Sequence, residues 1–401
     1  MKNVVICCDG TGNQFGAANS NVVKIYQTLV HDGVRQVCYY HPGVGTMGDK
    51  RALTKLGQWW TWLLGMAFGY GLAENISDAY RFLMNSFEPG DRVYIFGFSR
   101  GAYTARALCG MLQMFGLLSP GNEGLIPYAM RLFKSKEPSA RAKAKGKPSK
   151  FAIAKEFQAT FGRECKPHFL GVWDTVSSVG WFDPIGSKPG ALPFTRRLDD
   201  VAVIRHAVSL DERRAFFRQN LVKPWPRPTL KGELIKLKEV WFAGVHSDVG
   251  GGYADSELSM IPLRWMLQEA MMAHLAVDPV KSQLALHSVG SQPVVVCTAK
   301  LHNSLTPGWW LGEFWPKVVS HRVSADGVTP EVWRRWIRLN LFRRRVVPEG
   351  AWLHASIFER MKLVPEYNPR NLPAVHETEP DAQSDPVPPV VPATDAPGLS
   401  A

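Results

Sequence analysis

Pairing chemistry is what the sequence most conspicuously lacks. Its six cysteines (Cys7, Cys8, Cys38, Cys109, Cys165 and Cys297) contain no C-x-x-C spacing and mostly sit in apolar stretches. That pattern excludes a zinc-ribbon motif and a disulfide framework, and it fits a reducing compartment. Nor is a secretory leader expected. After Lys2 only five apolar or thiol residues precede Asp9, too few for a signal-peptide core. Sec-type export is therefore not expected, and the expected location is cytoplasmic or peripheral membrane, with export by a machine that reads no N-terminal signal left open. Long apolar runs are scarce as well. The longest uncharged stretch, 56–73, has 18 residues, the lower limit for a span, and it is diluted by four glycines with Gln58, Thr61 and Tyr70. It reads as a buried crossover helix or an amphipathic lid, and less readily as a membrane span.

What is present describes a globular body. Hydrophobic residues make up 45% of 401 and charged residues 20%, enough to build a substantial core and too apolar for a disordered chain. The net charge of +12 is concentrated rather than spread. Segment 131–150 carries eight basic residues against Glu137, for +7, and Arg334 to Arg345 holds six arginines and no acid, for +6. The first has no apolar face and reads as a solvated insertion. The second interleaves its arginines with Trp333, Trp336, Ile337, Leu339, Leu341 and Phe342. That mixture predicts a helix, either lying on an anionic membrane or partner or pairing with local acids on the protein surface. The chain from about 373 onward is Pro-rich and acidic, and is expected to be disordered.

Short apolar runs at 3–8, 36–40, 92–97, 168–173 and 239–245 end in turn residues. Helical spacing follows some of them, as with Ile76, Tyr80, Leu83 and Phe87, and the run after Arg100 continues helical to about Phe115. This alternation predicts an α/β fold, a mostly parallel sheet flanked by helices, with insertions and right-handed crossovers. The expected organisation is one catalytic domain over 1–372, with the basic insertion at about 131–150 and a Trp/Arg-rich segment at about 307–346, followed by the tail 373–401.

Chemistry concentrates at the ends of these strands. Residues 97–106 read GFSRGAYTAR, so Gly97 and Gly101 flank Ser99 as G-x-S-x-G between a predicted strand and a predicted helix. A nucleophile elbow requires that context, because its serine sits on a strained tight turn where flanking side chains would collide with backbone. A hydroxyl needs a base, and the base needs an orienting carboxylate. Asp174 follows the strand at 168–173, and His246 follows the strand at 239–245 in a glycine-rich loop. The ordinary alternatives are a turn acid and a loop histidine. The order Ser, Asp, His is that of α/β-hydrolases. For the oxyanion, the Arg100 N–H at the start of the helix is one candidate donor, and Gly10 or Thr11, past the first strand, is another. Asp9 belongs to the same turn. The segment D-G-T at 9–11 lacks the preceding aspartate of a phosphotransferase loop, since residue 7 is Cys7. Two rivals stand beside the triad: Asp248 as orienting acid or loop brace, and His354 as base or helix cap.

Taken together, VVICCDGTGN at 4–13, YHPGVGT at 40–46, GFSRGAYTAR at 97–106, VWDTV at 172–176 and GVHSDVGGGY at 244–253 resemble a family of bacterial phospholipase effectors delivered by type VI secretion. The resemblance runs over roughly 3–370, including His354 to Ser356 and YNPRNL at 367–372. It implies an α/β-hydrolase module whose substrate is a lipid or a small ester. The elbow strand is the third here, so the antiparallel strands that usually open a hydrolase sheet are absent from the expected pattern.

The sequence thus predicts a serine carboxylic ester hydrolase of phospholipase or lipase type. Ser99 is the expected nucleophile, His246 the base and Asp174 the orienting acid, with no metal and no organic cofactor. A peripheral contact with anionic membrane is expected from the Trp-rich and Arg-rich segments. The competing class is a non-catalytic hydrolase-like module that binds membrane or protein. No nucleic-acid partner is expected, because no recognition motif accompanies the basic patches.

Overall fold

The computed structural model describes residues 1–10, 16, 18–43, 66–176, 192–215, 217–222, 236–287, 293–314, 317–323 and 332–381. Eight strands, β1 (Asn3–Cys8), β2 (Gln36–His41), β3 (Arg92–Phe98), β4 (Phe169–Trp173), β5 (Val203–Ser209), β6 (Leu237–Phe242), β7 (Ala351–His354) and β8 (His376–Glu379), form one sheet. Their order is β8-β7-β6-β5-β4-β3-β1-β2, and each pairing is parallel. Parallel strands are buried on both faces, which is why β1, β4 and β5 are buried along their whole length.

Alternation within a strand splits the core in two. Val4, Ile6, Val93, Ile95, Leu170 and Val172 pack on one face under helices α2 (Met66–Ser86) and α3 (Arg100–Phe115). Val5, Cys7, Tyr94, Phe96, Phe169 and Trp173 pack on the other under α1 (Asn21–Thr28) and a helix at Met260–Met272. The predicted stripe Ile76, Tyr80, Leu83 and Phe87 is buried in the first of these layers. None of the six cysteines is in a disulfide. Among the described residues no helix is long and apolar enough to cross a membrane. Of the stretch 56–73, only 66–73 is described, and it opens α2.

Three strands carry no clear apolar signature. β5 contains Arg205 and His206, which interrupt an apolar run, yet both are fully buried. Arg205 pairs with Glu269 at 2.6 Å, and His206 Nδ1 lies 2.7 Å from Glu239, so burial is matched by a polar partner on each side chain. β7 and β8 are four residues each. Of the tail expected to be disordered from 373, residues 373–381 are described and contain β8, and the rest lies outside the described residues. Glu379 on β8 accepts from Lys238 Nζ (2.8 Å) and Trp265 Nε1 (3.0 Å), and these contacts anchor the edge strand.

The arginine-rich segment also departs from expectation. Val332–Arg338 is a strand, paired antiparallel with Lys317–Val323, and not a helix. Its β-branched and aromatic content suits a strand once a partner is available, and tertiary pairing decides the matter. Beyond it, 339–347 runs irregularly back toward the sheet. The basic insertion is partly helical, with Ile126–Lys134 and Ala140–Ala144. Lys150 is buried there and donates to Ser135 O at 2.7 Å.

Candidate active site

The turn between β3 and α3 is built by close approach. A Cβ on Gly101 would lie 2.1 Å from Cys8 O, and one on Gly97 would lie 2.5 Å from Gly101 O, so α3 crosses β1 and β3 at a distance only glycine allows. Ser99 pays for this geometry with φ 58° and ψ −117°, a conformation L residues rarely adopt. Its N–H donates to Trp173 O on β4 (3.1 Å), which fixes the elbow over the sheet edge.

The three predicted side chains meet there. His246 Nε2 is 2.8 Å from Ser99 Oγ, and His246 Nδ1 is 2.5 Å from Asp174 Oδ2. A carboxylate facing Nδ1 only accepts, so Nδ1 carries the proton and Nε2 accepts from the serine hydroxyl. The imidazole is packed between Phe98 and Phe217, with ring centroids 4.7 and 4.8 Å away. Burial lowers its pKa below the ordinary histidine value, against the opposing pull of Asp174.

Asp174 is fully buried and has φ 38°. Each of its oxygens accepts twice. Oδ1 accepts from Arg345 Nη1 (2.5 Å) and Ser209 N (3.0 Å), and Oδ2 accepts from His246 Nδ1 and Arg345 Nη2 (3.0 Å). Burial pushes this carboxyl up, but Arg345 and His246 outweigh it and hold it well below the usual carboxylate range. Arg345, in the segment expected either to face a membrane or partner or to pair with local acids, is itself buried and pairs with Asp174.

A second buried carboxylate supports His246. Glu212 accepts from the His246 N–H (3.2 Å) and from Arg214 Nη2 (2.9 Å). Burial would raise it, yet the Arg214 guanidinium brings it to about 2. Arg214 in turn lies 3.5 Å over the Phe217 ring, next to Trp309. Glu212, Arg214, Phe217 and Arg345 were invisible to motif reasoning, because none sits at a strand end in a recognisable pattern.

The remaining candidates are placed elsewhere. Asp248 accepts from the Val245 N–H (3.0 Å) and lies 2.6 Å from His302 Nδ1, so it braces the histidine loop and does not reach His246 Nδ1. His354 caps a helix at Ala355–Leu363. Its Nδ1 accepts from Ser356 N at 3.3 Å, and its ring stacks on Phe242 at 4.6 Å, away from Ser99. Asp9 is buried and accepts from Ser20 Oγ (2.6 Å) and Tyr40 Oη (2.8 Å). It also accepts from the Gly10 N–H (2.6 Å), the candidate oxyanion donor past the first strand. Thr11 lies outside the described residues. Arg100 is the first residue of α3, at the helix end where N–H groups carry partial positive charge. Among the described residues no cluster of His, Cys, Asp and Glu is arranged to hold a metal.

Residues 2–269 match the family described as type VI secretion system phospholipase effector Tle1-like, catalytic domain. Over 234 residues the chain is 40% identical to the uncharacterized protein YEL023C of Saccharomyces cerevisiae, a match covering 56% of this chain and 33% of the yeast protein. The chain thus spans about a third of that relative's length. Similar solved structures include an uncharacterized protein from Pseudomonas aeruginosa, 22% identical with a TM-score of 0.37, covering 70% of this chain and 47% of that one. Another is the Tle1 effector bound to the VgrG spike of the type VI secretion system, 15% identical with a TM-score of 0.40, covering 86% and 89%.

Proposed function

The chain belongs to the Tle1-like phospholipase effector catalytic-domain family, and on that premise we propose that it is a serine hydrolase of carboxylic esters, acting on phospholipid or a related lipid ester. The observation that carries the proposal is the unbroken series Ser99 Oγ, His246 and Asp174 at 2.8 and 2.5 Å, built on a strained serine. In this mechanism Ser99 Oγ attacks the acyl carbon while His246 Nε2 takes its proton. His246 then returns that proton to the leaving alcohol, and water attacks the acyl-serine by the same route in reverse. Asp174 holds the tautomer and offsets the charge that develops on the imidazole. The Arg100 N–H is the proposed oxyanion donor.

The lipid assignment draws on the family and on the surface beside the site. From His246 the rings of Phe217 and Trp309 lead outward, at centroid separations of 4.8 and 5.4 Å. Trp310 and Phe314, both about half exposed, then pack their edges on Phe342. Exposed rings at Trp310 and Phe314, on and just past the helix that carries Trp309, suit a substrate presented in a lipid aggregate.

A fluorophosphonate probe tests the nucleophile directly. Labelling mapped to Ser99 is the expected outcome, and it should vanish in His246→Ala. A folded wild-type protein that takes up no label would favour the non-catalytic membrane-binding or protein-binding module instead.

A further inference from the structure

Arg345 lies outside the family-matched residues 2–269, on an irregular segment that returns to the sheet, and its side chain has only 3% of its surface exposed. Nη1 donates to Asp174 Oδ1 (2.5 Å), Ser209 Oγ (2.8 Å) and Ser209 O (3.1 Å). Nη2 donates to Asp174 Oδ2 (3.0 Å) and to Phe217 O, and Nε donates to Phe217 O (3.1 Å). One planar group therefore spans both oxygens of the triad carboxylate. It also ties together the end of β5 and the loop bearing Phe217, the ring that packs on His246. Its own carbonyl accepts from Asn371 Nδ2 (3.1 Å), so the clamp is held from the C-terminal side.

We propose that Arg345 is a positioning residue of this active site, which fixes the Asp174 carboxylate by a bidentate ion pair and shares its charge so that His246 stays neutral and able to accept the serine proton. The proposal rests on the serine-hydrolase reading. The fixed charge of Arg345 stands behind Asp174 and opposes placing a second positive charge on the imidazole. The other charges near His246 are Glu212 and Arg214, bound to each other, while Asp248 on its own helix is turned to Val245 N and His302. Arg344 is occupied with Asp211 at 3.2 Å. Removing Arg345 leaves the Asp174 charge to His246 alone, which favours the imidazolium and moves its titration upward.

The test follows the rate of fluorophosphonate labelling of Ser99 as a function of pH in the full chain. In Arg345→Met the acid limb should move up by about one pH unit, the size expected for losing one neighbouring charge. Arg345→Lys keeps the charge but cannot bridge both oxygens, so its limb should stay at the wild-type pH while its plateau falls ~10-fold, the loss expected of a bidentate site served by a point charge. A folded Arg345→Met with the wild-type limb would overturn the proposal while leaving the hydrolase reading intact. If Arg345→Met does not fold, Arg345→Lys decides, and a wild-type plateau in that variant would overturn it. Wild-type protein that does not label at all would bring down the hydrolase reading and this proposal together.

Discussion

At the scale of single residues, the site is defined by buried charges whose partners are all supplied. Asp174 fills its four acceptor positions with His246, Ser209 and two bonds from Arg345. His354, the alternative base, shows the same rule from the other side. Burial lowers its pKa to about 3, and the Asp381 carboxylate, 3.8 Å from its Nε2, does not outweigh that burial. A histidine that titrates near 6.5 when unfolded and near 3 when folded leaves the native state binding fewer protons between those values. Stability contributed by this group is therefore complete above the unfolded pKa and is lost as pH falls, at about 1.4 kcal/mol per pH unit. His354→Asn keeps an acceptor for the Ser356 N–H but does not titrate. Urea unfolding between neutral pH and about pH 4.5 should show a shallower acid-side decline in His354→Asn than in wild type, and parallel declines would contradict the assignment. Ser99, Asp174 and His246 were legible in the sequence because each follows an apolar run with turn chemistry after it. Arg345 was not, since it is one of six arginines in a segment of aromatics and its partner lies 171 residues away.

Among the elements, the elbow depends on how closely α3 approaches β1. Gly101→Ala places a methyl carbon 2.1 Å from Cys8 O and 2.6 Å from Asp9 O, both backbone atoms that cannot rotate away. The helix must shift, and Ser99 with it. We expect Gly101→Ala to lower unfolding stability by about 1–3 kcal/mol, the usual range for overpacking, and to reduce ester turnover further than that loss explains. Turnover that stays at wild-type level in the folded variant would show that the elbow tolerates displacement. The strands around this turn were readable where they are uniformly apolar, as in β1, β3 and β4. β5 was hidden by Arg205 and His206, whose partners Glu269 and Glu239 come from other elements. β7 and β8 were hidden because four residues are too few to show a period. The arginine-rich segment was misread as a helix because its mixture of rings and charges fits either period until the facing strand Lys317–Val323 is known.

For the molecule as a whole, the proposed lipid substrate would be met in an aggregate, and the exposed rings near the site are the surface proposed to meet it. Trp310, Phe314 and Leu341 are 51%, 56% and 45% exposed, and Trp310 is on the helix whose Trp309 packs against Phe217. Replacing Trp310 and Phe314 together by serine should weaken co-sedimentation with anionic vesicles at least ~10-fold and lower turnover of vesicle lipid more than turnover of a soluble ester. Equal losses on both substrates would place these rings in the fold and not at an interface. Neutralising all of Arg343, Arg344 and Arg345 is not a clean test of membrane contact, because Arg345 is buried against Asp174 and Arg344 is paired with Asp211. The overall α/β plan was legible from the alternation of short apolar runs with helical spacing. The closing of the site by a segment beyond residue 269 was not, because no local pattern marks a chain that returns across the sheet.

The account turns on Ser99 as a nucleophile activated by His246 and Asp174, and the most direct measurement is hydrolysis of a panel of phospholipids and p-nitrophenyl esters by wild-type protein and by Ser99→Ala. Wild-type protein should release product from at least one of them, and Ser99→Ala, with its fold intact, should be slower by at least ~10³-fold, since the oxyanion donor remains while the nucleophile is gone. Equal turnover by the two proteins would contradict it.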